Sequence, residues 1–336
     1  MKVTAPGTRC GIAMLGLTLL SFSACKKDAI VVPATTAETS QTGLADHPNF
    51  KAANLAVTFT TSAPITYNNK SNITISGIST TSIALQNCTN VIITNCKVAN
   101  SSGIGINIYQ CTNVKVTGTY LNNLATGVYA LDSQGINISG NYGLNMKGPY
   151  PRGQFVQFDN VTGTGNRINS NKFQNILGQS DPEDAISIYE SSGTSADPIQ
   201  VNQNQIRGGG PSNSGGGIML GDGGGAYVTA EWNTLVDPGQ YGMAVSGGTH
   251  MTIYENHVYS KLQSFSNVGV YYWNQSGKPS STVTIGSNNV NYTMYDGEIN
   301  NTYLPSGSAV PAGWRTNYYD KSLSESTLPT TLVTIP

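Results

Sequence analysis

Charged residues are scarce in this sequence, and they concentrate in one segment. Of 336 residues 10% are charged, and nine of these lie between Asn145 and Ser191: Lys147, Arg152, Asp159, Arg167, Lys172, Asp181, Glu183, Asp184 and Glu190. Residues 71–141, by contrast, hold only three. Each charge near a folded core must be paired or solvated, so the cluster indicates a functional site. Its cations could neutralise an anionic group, and its carboxylates could transfer protons or hold a metal ion.

The first residues of the chain have the pattern of a secretion signal. Lys2 and Arg9 form a basic start, residues 11–20 form an apolar run, and Ser23-Ala24 supplies a small-residue cleavage site. The apolar run is too short to remain as a membrane span. We therefore expect residues 1–24 to be a signal peptide.

The cleavage site has a second feature, because a cysteine follows it. Phe22-Ser23-Ala24-Cys25 resembles the lipobox of bacterial lipoproteins, and Lys26-Lys27-Asp28 resembles the charged spacer of many Bacteroidota lipoproteins. The resemblance implies that Cys25 carries lipid. It also implies that the protein is anchored to the outer membrane, on the periplasmic side or at the cell surface. The alternative is an ordinary secretory signal that is cut near Ala24.

Composition narrows the range of partners. Without residues 1–24 the chain has 15 basic and 18 acidic residues, so it lacks the basic surface of a nucleic-acid-binding protein. Besides Cys25, three cysteines remain, Cys88, Cys96 and Cys111. An odd number of cysteines argues against a disulfide framework. Residues 25–54 are rich in Ala and Thr and are typical of a flexible tether.

An internal repeat indicates the fold. Cys88-Thr-Asn-Val-Ile-Ile93 recurs 23 residues later as Cys111-Thr-Asn-Val-Lys-Val116. In the same register, eight short segments alternate with period 2, each with two positions that face inward. These positions are Ile83/Leu85, Ile106/Ile108, Val128/Ala130, Val156/Phe158, Ile186/Ile188, Ile218/Leu220, Met243/Val245 and Val270/Tyr272. Short strands that repeat without helical periodicity predict an all-β solenoid, a single right-handed parallel β-helix, over residues 55–305.

Recurring polar residues fit the stacking of such coils. A series of apolar–x–x–Asn patterns predicts a column of stacked amides, with Asn171, Asn204 and Asn256 in one column. Asn95 belongs to the same series, and Asn288 is its looser member. Cys88 and Cys111 are expected to stack in the same manner as small buried residues. Residues 306–336 are expected to pack on the β-helix as a tail, and the protein is expected to be a monomer.

The spacing of the repeats indicates where a ligand would bind. Successive coils are 23, 22, 28, 30, 32, 25 and 27 residues long, so the insertions before Val156, Ile186 and Ile218 should stack beside one another. Such a wall beside a flat sheet makes an elongated cleft. Aromatic and amide residues at outward positions suit a sugar polymer, since rings stack on aromatic faces and amides bond hydroxyls. We therefore predict that a polysaccharide contacts Tyr109, Tyr129, Gln154, Gln157, Asp159, Asp222, Tyr271 and Trp273.

Over about residues 70–300 the coil length, the Asn-ended strands and the long central loops resemble the β-helix carbohydrate-active enzymes. These include uronate and alginate polysaccharide lyases, mannuronan epimerases and polygalacturonase-type hydrolases. Asp181-Pro-Glu-Asp184 is similar to the paired-acid turn of the hydrolases and to the Asp-Pro-x-Asp of the epimerases. It departs from the epimerase pattern at Glu183, where a His is usual.

The resemblance implies an enzyme that acts on an acidic polysaccharide such as alginate by β-elimination. That reaction needs a positive group on the uronate carboxylate, a base for the neighbouring proton and an acid for the departing oxygen. The predicted catalytic residues are Lys147, Arg152, Tyr189 and Arg207. Glu183, Asp184 and Glu190 are predicted to hold a Ca²⁺ ion, or else to form salt bridges that pin the loops. The alternatives are a glycoside hydrolase that uses the carboxylates, an epimerase, and a glycan-binding lipoprotein without catalysis.

Overall fold

The computed structural model describes residues 58–336. The predicted signal peptide of residues 1–24, the lipid site at Cys25 and the tether of residues 25–54 lie outside the described residues. Within residues 58–336, no helix has the length and apolarity needed to cross a membrane.

The described chain winds into a parallel β-helix with three faces, and the named strands of each face pair in parallel. The first face is a sheet of nine strands: Ser71–Ser76, Thr89–Thr94, Thr112–Thr117, Gln134–Ser139, Arg167–Asn169, Ile199–Gln200, Ala226–Glu231, Thr249–Tyr254 and Thr284–Gly286. The other two faces belong to one sheet of 19 strands, because two long strands run through the corner between them, Lys97–Tyr109 and Tyr120–Leu131.

The remaining strands divide between those two faces. The second face contains Thr60–Thr61, Ile78–Thr80, Tyr142–Met146, Lys172–Gln174, Gln205–Arg207, Thr234–Val236, His257–Ser260, Asn289–Tyr292 and Tyr318–Tyr319. The third face contains Ile65–Asn68, Ile83–Gln86, Val156–Asp159, Ile186–Tyr189, Ile218–Asp222, Tyr241–Val245, Val268–Tyr272 and Thr302–Tyr303. Two short 3-10 helices, Trp314–Thr316 and Glu325–Thr327, lie near the C-terminus.

The predicted inward positions of the eight repeats form the core along the third face. The first position of each repeat pairs with its counterpart in the next coil, from Ile83 with Ile106 through to Met243 with Val270. Leu85 and the second positions that follow it pair in the same way, and these side chains are buried. The predicted fold class and the coil register are therefore confirmed.

A column of buried asparagines joins the first face to the second. Asn171 Nδ2 donates to Asn204 Oδ1 at 2.9 Å, and each member repeats this bond to the next. The full column is Asn141, Asn171, Asn204, Asn233, Asn256, Asn288 and, partly buried at its end, Asn317. Asn95 was wrongly placed in this column. It lies in the turn one residue earlier, at a φ of 49°, and Cys96 takes the equivalent position.

The cysteines of the first coils are buried and free. The backbone N of Cys88 lies 3.3 Å from Cys111 Sγ, so these two residues stack as predicted. Ser133 takes the same place in the next coil, where its hydroxyl accepts a bond from the Cys111 N–H. Cys88, Cys96 and Cys111 form no disulfide.

The C-terminal residues both extend the β-helix and pack on it. Tyr318–Tyr319 pairs with Asn289 and Val290 on the second face, so the coil pattern continues past the predicted boundary at residue 305. Beyond this strand, Leu328, Leu332 and Val333 pack against Val236 on the same face. The backbone N–H groups of Leu332 and Val333 donate to Gln174 Oε1.

Candidate functional site

A cleft of about 780 Å³ lies on the outward surface of the third face. Its lining combines aromatic rings, amides and carboxylates, as a sugar site requires. The lining residues are Tyr150, Pro151, Gln154, Gln157, Glu183, Asp184, Ser187, Tyr189, Asn213, Ser214, Met219, Asp222, Gln240, Asn267, Val268, Tyr271, Trp273, Gln275, Asn300 and Tyr303.

The three long loops that precede Val156, Ile186 and Ile218 stack in direct contact and form one wall of the cleft. A Cβ on Gly153 would lie 2.5 Å from the backbone N of Glu183, and a Cβ on Gly215 would lie 2.5 Å from Glu183 Cα. Only glycine permits so close an approach of neighbouring backbones. The predicted side-by-side arrangement of the insertions is therefore present.

The floor of the cleft follows two outward columns of the third face. The first runs through Gln157, Ser187 and Met219, in the predicted register, and continues beyond the cleft to Tyr129. In the second column, strict alternation after the inward Leu220 would place Gly221 beside Tyr189. A register shift after Ile188 pairs Tyr189 with Asp222 instead. The bulge thereby brings a carboxylate to the floor.

Asp184 is the carboxyl group whose protonation is most altered. Burial raises its pKa from 3.8 to about 7, against hydrogen bonds from the Tyr241 hydroxyl and the Gly216 N–H, which favour the ionised form. The negative charges of Glu183 and Asp222 add to the increase. Both hydrogen bonds reach Oδ1, and Oδ2 has no partner within residues 58–336. Asp184 can thus carry a proton on Oδ2 near neutral pH.

Two further carboxyl groups line the same cleft. Burial raises the pKa of Asp222, and the charge of Glu190 adds to this effect. Glu183 accepts hydrogen bonds from Ser212 at 2.7 Å and from Ser214 at 2.9 Å, which join two of the wall loops. The arrangement places three carboxyl groups in one cleft, and acid–base chemistry on a glycosidic bond uses a pair of carboxyl groups in different protonation states.

Beside the cleft, Tyr129, Asp159 and Arg152 form a connected group outside its lining. The Tyr129 hydroxyl donates to Asp159 Oδ2 at 2.6 Å, and the Arg152 guanidinium lies 4.3 Å from the centre of the Tyr129 ring. Burial raises the pKa of Tyr129 to about 12, so its phenol stays protonated. Arg152 reaches the cleft only through a long contact of 3.4 Å from Nη1 to Gln157 Oε1.

The structure separates the four predicted catalytic residues. Tyr189 lines the cleft, and burial raises the pKa of its phenol. Arg152 lies at the edge, and Lys147 is exposed and outside the lining. The placement of Arg207 among the cleft loops was wrong. Arg207 ends a strand of the second face, where its guanidinium donates to the backbone oxygens of residues 325 and 328.

The predicted substrate-binding residues divide in a similar way. Gln154, Gln157, Asp222, Tyr271 and Trp273 line the cleft, whereas Tyr109, Tyr129 and Asp159 do not. Tyr109 lies two coils before Asp159 on the same outward column. Gln154 is buried, and its Nε2 donates to the Pro151 oxygen at 3.0 Å, so this side chain also holds its loop.

Glu183, Asp184 and Glu190 do not converge as the ligands of one Ca²⁺ ion would. Glu190 forms an ion pair with Lys278 at 2.7 Å, while the other two have the separate partners described above. Within residues 58–336, no group of three or more His, Cys, Asp or Glu side chains has the geometry of a metal site. These residues do not fit the predicted ion as a set.

Sequence reasoning missed several residues of the site. Tyr241 is almost fully buried and bonds Asp184, and Lys278 reaches across the loops to Glu190. No local sequence pattern signals either contact, because the partners are 57 and 88 residues apart. The missed amides and aromatic residues of the lining are Tyr150, Asn213, Gln240, Asn267, Gln275, Asn300 and Tyr303.

Comparison with known proteins supports the fold. The family model described as "Right handed beta helix region" matches residues 64–229. No curated protein and no solved structure gives a significant match to the chain. Over residues 64–229 the chain therefore matches the family of right-handed β-helix regions.

Proposed function

We propose that this protein is a glycoside hydrolase that binds an extended glycan along the third face and cleaves it with paired carboxyl groups. The observation that carries the proposal is Asp184, a carboxyl group with a pKa of about 7 in a cleft that also contains Asp222 and Glu183. A carboxylic acid that remains protonated near neutral pH can donate its proton to a departing glycosidic oxygen.

Each carboxyl group has a defined role in the proposed reaction. Asp184 donates its Oδ2 proton to the glycosidic oxygen as the bond from that oxygen to the anomeric carbon breaks. Asp222 acts as a carboxylate: it either takes a proton from the water that attacks the anomeric carbon, or attacks that carbon itself and forms a glycosyl ester that water then hydrolyses. Glu183, held by Ser212 and Ser214, orients the loop that carries Asp184. The products are two shorter sugars, one of which gains a reducing end.

The rest of the lining supports an extended saccharide. Trp273 and Tyr303 are 48% and 45% exposed, so their rings offer flat surfaces at one end of the cleft. Tyr150 is exposed in the cleft wall, in the loop before Val156. The amides of Gln240, Asn267 and Asn300, which also line the cleft, supply hydrogen-bond donors and acceptors for the hydroxyl groups of the saccharide.

The charge of the cleft favours hydrolysis over uronate β-elimination. Its lining includes the carboxylates of Glu183 and Asp222, which would repel a polymer of uronates. The nearby cations are already engaged, since Lys278 pairs with Glu190 and Arg152 stacks on Tyr129. A neutral or weakly acidic glycan therefore suits the site better than alginate.

A uronate lyase is the second candidate, and one observation favours it. Arg152 contacts Gln157 at the edge of the cleft, where a substrate carboxylate could replace that weak 3.4 Å contact. Tyr189 has a protonated phenol in the cleft, as the acid of a β-elimination requires. Alginate or another uronate polymer would then be the substrate.

One assay separates these reactions. The protein is incubated with alginate, pectate, glucuronan and a set of neutral glycans, and both reducing ends and the ultraviolet absorbance of unsaturated sugars are followed. Hydrolysis gives reducing ends without unsaturated product, and Asp184→Asn abolishes it, while Asp181→Asn, on the exposed part of the same loop, does not. An unsaturated product establishes the lyase instead. Binding without either product would refute both reactions and leave a glycan-binding protein.

A further inference from the structure

A second concave site lies on the edge where the first face meets the second. It has a volume of about 360 Å³ and shares no residue with the cleft. The lining residues are Trp232, Asn233, Thr234, Glu255, His257, Ser287 and Asn289. The edge borders faces of the β-helix other than the one that carries the cleft, so a ligand here would contact a separate surface.

The residues of this second site occupy equivalent positions in successive coils. Thr234, His257 and Asn289 begin three successive strands of the second face and pair in register. Trp232 and Glu255 lie beside them in the turns that precede the asparagine column. Tyr318 continues the strand row, because it pairs with Asn289 in the next coil.

Trp232 is an unusual residue for its position. Its φ is 55°, in the left-handed region, and its side chain is 51% exposed. The equivalent turns of the neighbouring coils carry polar residues at nearly the same φ, namely Ser170, Gln203, Glu255 and Ser287. A bulky aromatic residue is disfavoured in the left-handed region, and an indole that stays half exposed contributes little to stability through burial. Stability of the β-helix therefore does not explain Trp232, whereas a ligand that covers the ring would.

The indole is held in a fixed orientation. Its Nε1–H donates to Glu255 Oε2 at 2.7 Å. His257 is exposed beside Glu255, and both offer polar atoms next to the ring. Tyr318, 63% exposed, supplies a second aromatic surface three coils away from Trp232, about 14 Å at ~4.8 Å per coil.

We propose that this edge is a second glycan-binding site, separate from the cleft and without a part in the reaction. A sugar ring stacks on Trp232, hydroxyl groups bond Glu255, His257 and Asn289, and a sugar further along the chain stacks on Tyr318. The carboxylate of Glu255 favours a neutral saccharide over a uronate. Binding a polymer at two places raises the local concentration of substrate at the cleft.

The chain has three tryptophans, which allows a direct test. In the double variant Trp273→Phe/Trp314→Phe, Trp232 is the sole tryptophan, and excitation at the red edge of the protein absorption selects its emission over that of the tyrosines. We expect a saturable change in its emission with at least one of the cello-, xylo-, manno- and laminari-oligosaccharides, and none with alginate oligosaccharides. Emission that is unchanged by every neutral probe, or that responds to alginate alone, would overturn the proposal.

Retardation in gels that contain the corresponding polysaccharides supplies the second measurement. Trp232→Asn suits the left-handed turn, so the fold is retained while the ring is lost. This variant and Tyr318→Ala should bind at least about tenfold more weakly than the wild type, an effect of the size expected from removing an aromatic sugar platform. Tyr295→Ala, which removes a tyrosine that is 58% exposed outside both sites, should bind as the wild type does.

Cleavage distinguishes this site from the cleft. Trp232→Asn should cleave short oligosaccharides at the wild-type rate and lose efficiency only on polymer. Asp184→Asn should lose cleavage and keep the Trp232 fluorescence response. If Trp232→Asn binds polysaccharide as tightly as the wild type, the second site is refuted whether or not the cleft hydrolyses glycans.

Discussion

The hydroxyl of Tyr241 donates a hydrogen bond to Oδ1 of Asp184, and so connects a buried strand of the third face to a wall loop of the cleft. Burial and the nearby charge of Asp184 raise the pKa of Tyr241 well above its ordinary value, so the phenol remains a donor at every relevant pH. The bond favours the ionised form of Asp184, while burial favours the protonated form. The balance between the two sets the pH range in which Asp184 can act as an acid.

Tyr241→Phe should shift that range upward. The variant removes a bond that stabilises the carboxylate, so the pKa of Asp184 rises further above about 7. A general acid must be protonated, so the alkaline limb of the kcat/KM profile should move to higher pH. Tyr271→Phe is the matched control, because Tyr271 packs edge-on against Tyr241 at 5.2 Å but is not bonded to Asp184 in the described chain. An alkaline limb that stays in place or moves to lower pH would contradict the assignment.

Asp184→Asn should have opposite effects on activity and on stability. The loss of a general acid lowers kcat by roughly 10²–10⁴-fold. The pKa of Asp184 in the folded protein is about 7, above the ordinary 3.8. The contribution of Asp184 to stability is therefore complete below pH 3.8 and is lost as pH rises through about 7. Asn does not titrate, so the Tm of the variant relative to wild type should rise between about pH 5 and about pH 8.

Thermal unfolding at several pH values checks this expectation. Asp181→Asn is the control, since Asp181 is exposed on the same loop and lies outside the cleft lining. A relative Tm that does not change with pH would show that Asp184 is ionised throughout, which removes the basis for its role as an acid.

The coil register could be predicted because a one-residue shift would turn every apolar side chain outward. That constraint holds along the strands of the third face, where each predicted inward pair is buried. It is weaker in turns. Asn95 was assigned to the asparagine column, but the turn there places Cys96 in line with Asn141.

The site was harder to predict, because its geometry depends on contacts between distant segments. Asp222 reaches the floor only through a bulge in a glycine-rich stretch, in which Gly221 and Gly223 both have positive φ. Tyr241 lies two residues before the inward Met243, so alternation alone predicts that its ring points to the core. No sequence pattern predicts its hydrogen bond to Asp184. Arg207 ends a strand instead of belonging to the loop that follows, so its side chain faces the C-terminal residues.

Asn204→Ala should destabilise the β-helix strongly. The amide of Asn204 accepts bonds from the N–H and Nδ2 of Asn171 and donates to Asn233 Oδ1 and to the oxygen of Ile168. Its removal leaves two or more buried polar groups unsatisfied, at a cost of about 1–3 kcal/mol each.

Urea unfolding measures the loss in the free energy of unfolding. Asn137→Ala is the matched control, because Asn137 is only partly buried on the first face, and it should cost less than about 1 kcal/mol. Equal losses in the two variants would mean that the column adds nothing beyond ordinary surface amides.

Cys25→Ser should release the protein from membranes in its native host. A thioether-linked lipid needs the Cys25 sulfur, and two or more acyl chains hold a protein firmly on a bilayer. Fractionation of cells that express the variant measures the effect, with Cys10→Ser as the control that keeps the lipid site. A variant that stays in the membrane fraction would show that the lipobox interpretation is wrong.

The final prediction sets the hydrolase against the lyase through Lys147 and Asp222. If the protein hydrolyses glycans, Lys147→Ala should keep kcat within about twofold of wild type, because the side chain is exposed outside the cleft, whereas Asp222→Asn should lose about a hundredfold or more. If it is a lyase in which Lys147 and Arg152 act on one uronate, Lys147→Ala should itself lose about a hundredfold in turnover. Rates on the polymer that is cleaved, compared with binding of that polymer by each variant, decide between them. A hundredfold loss in Lys147→Ala with unchanged binding would refute the hydrolase, and wild-type rates in both Lys147→Ala and Arg152→Ala would refute the lyase.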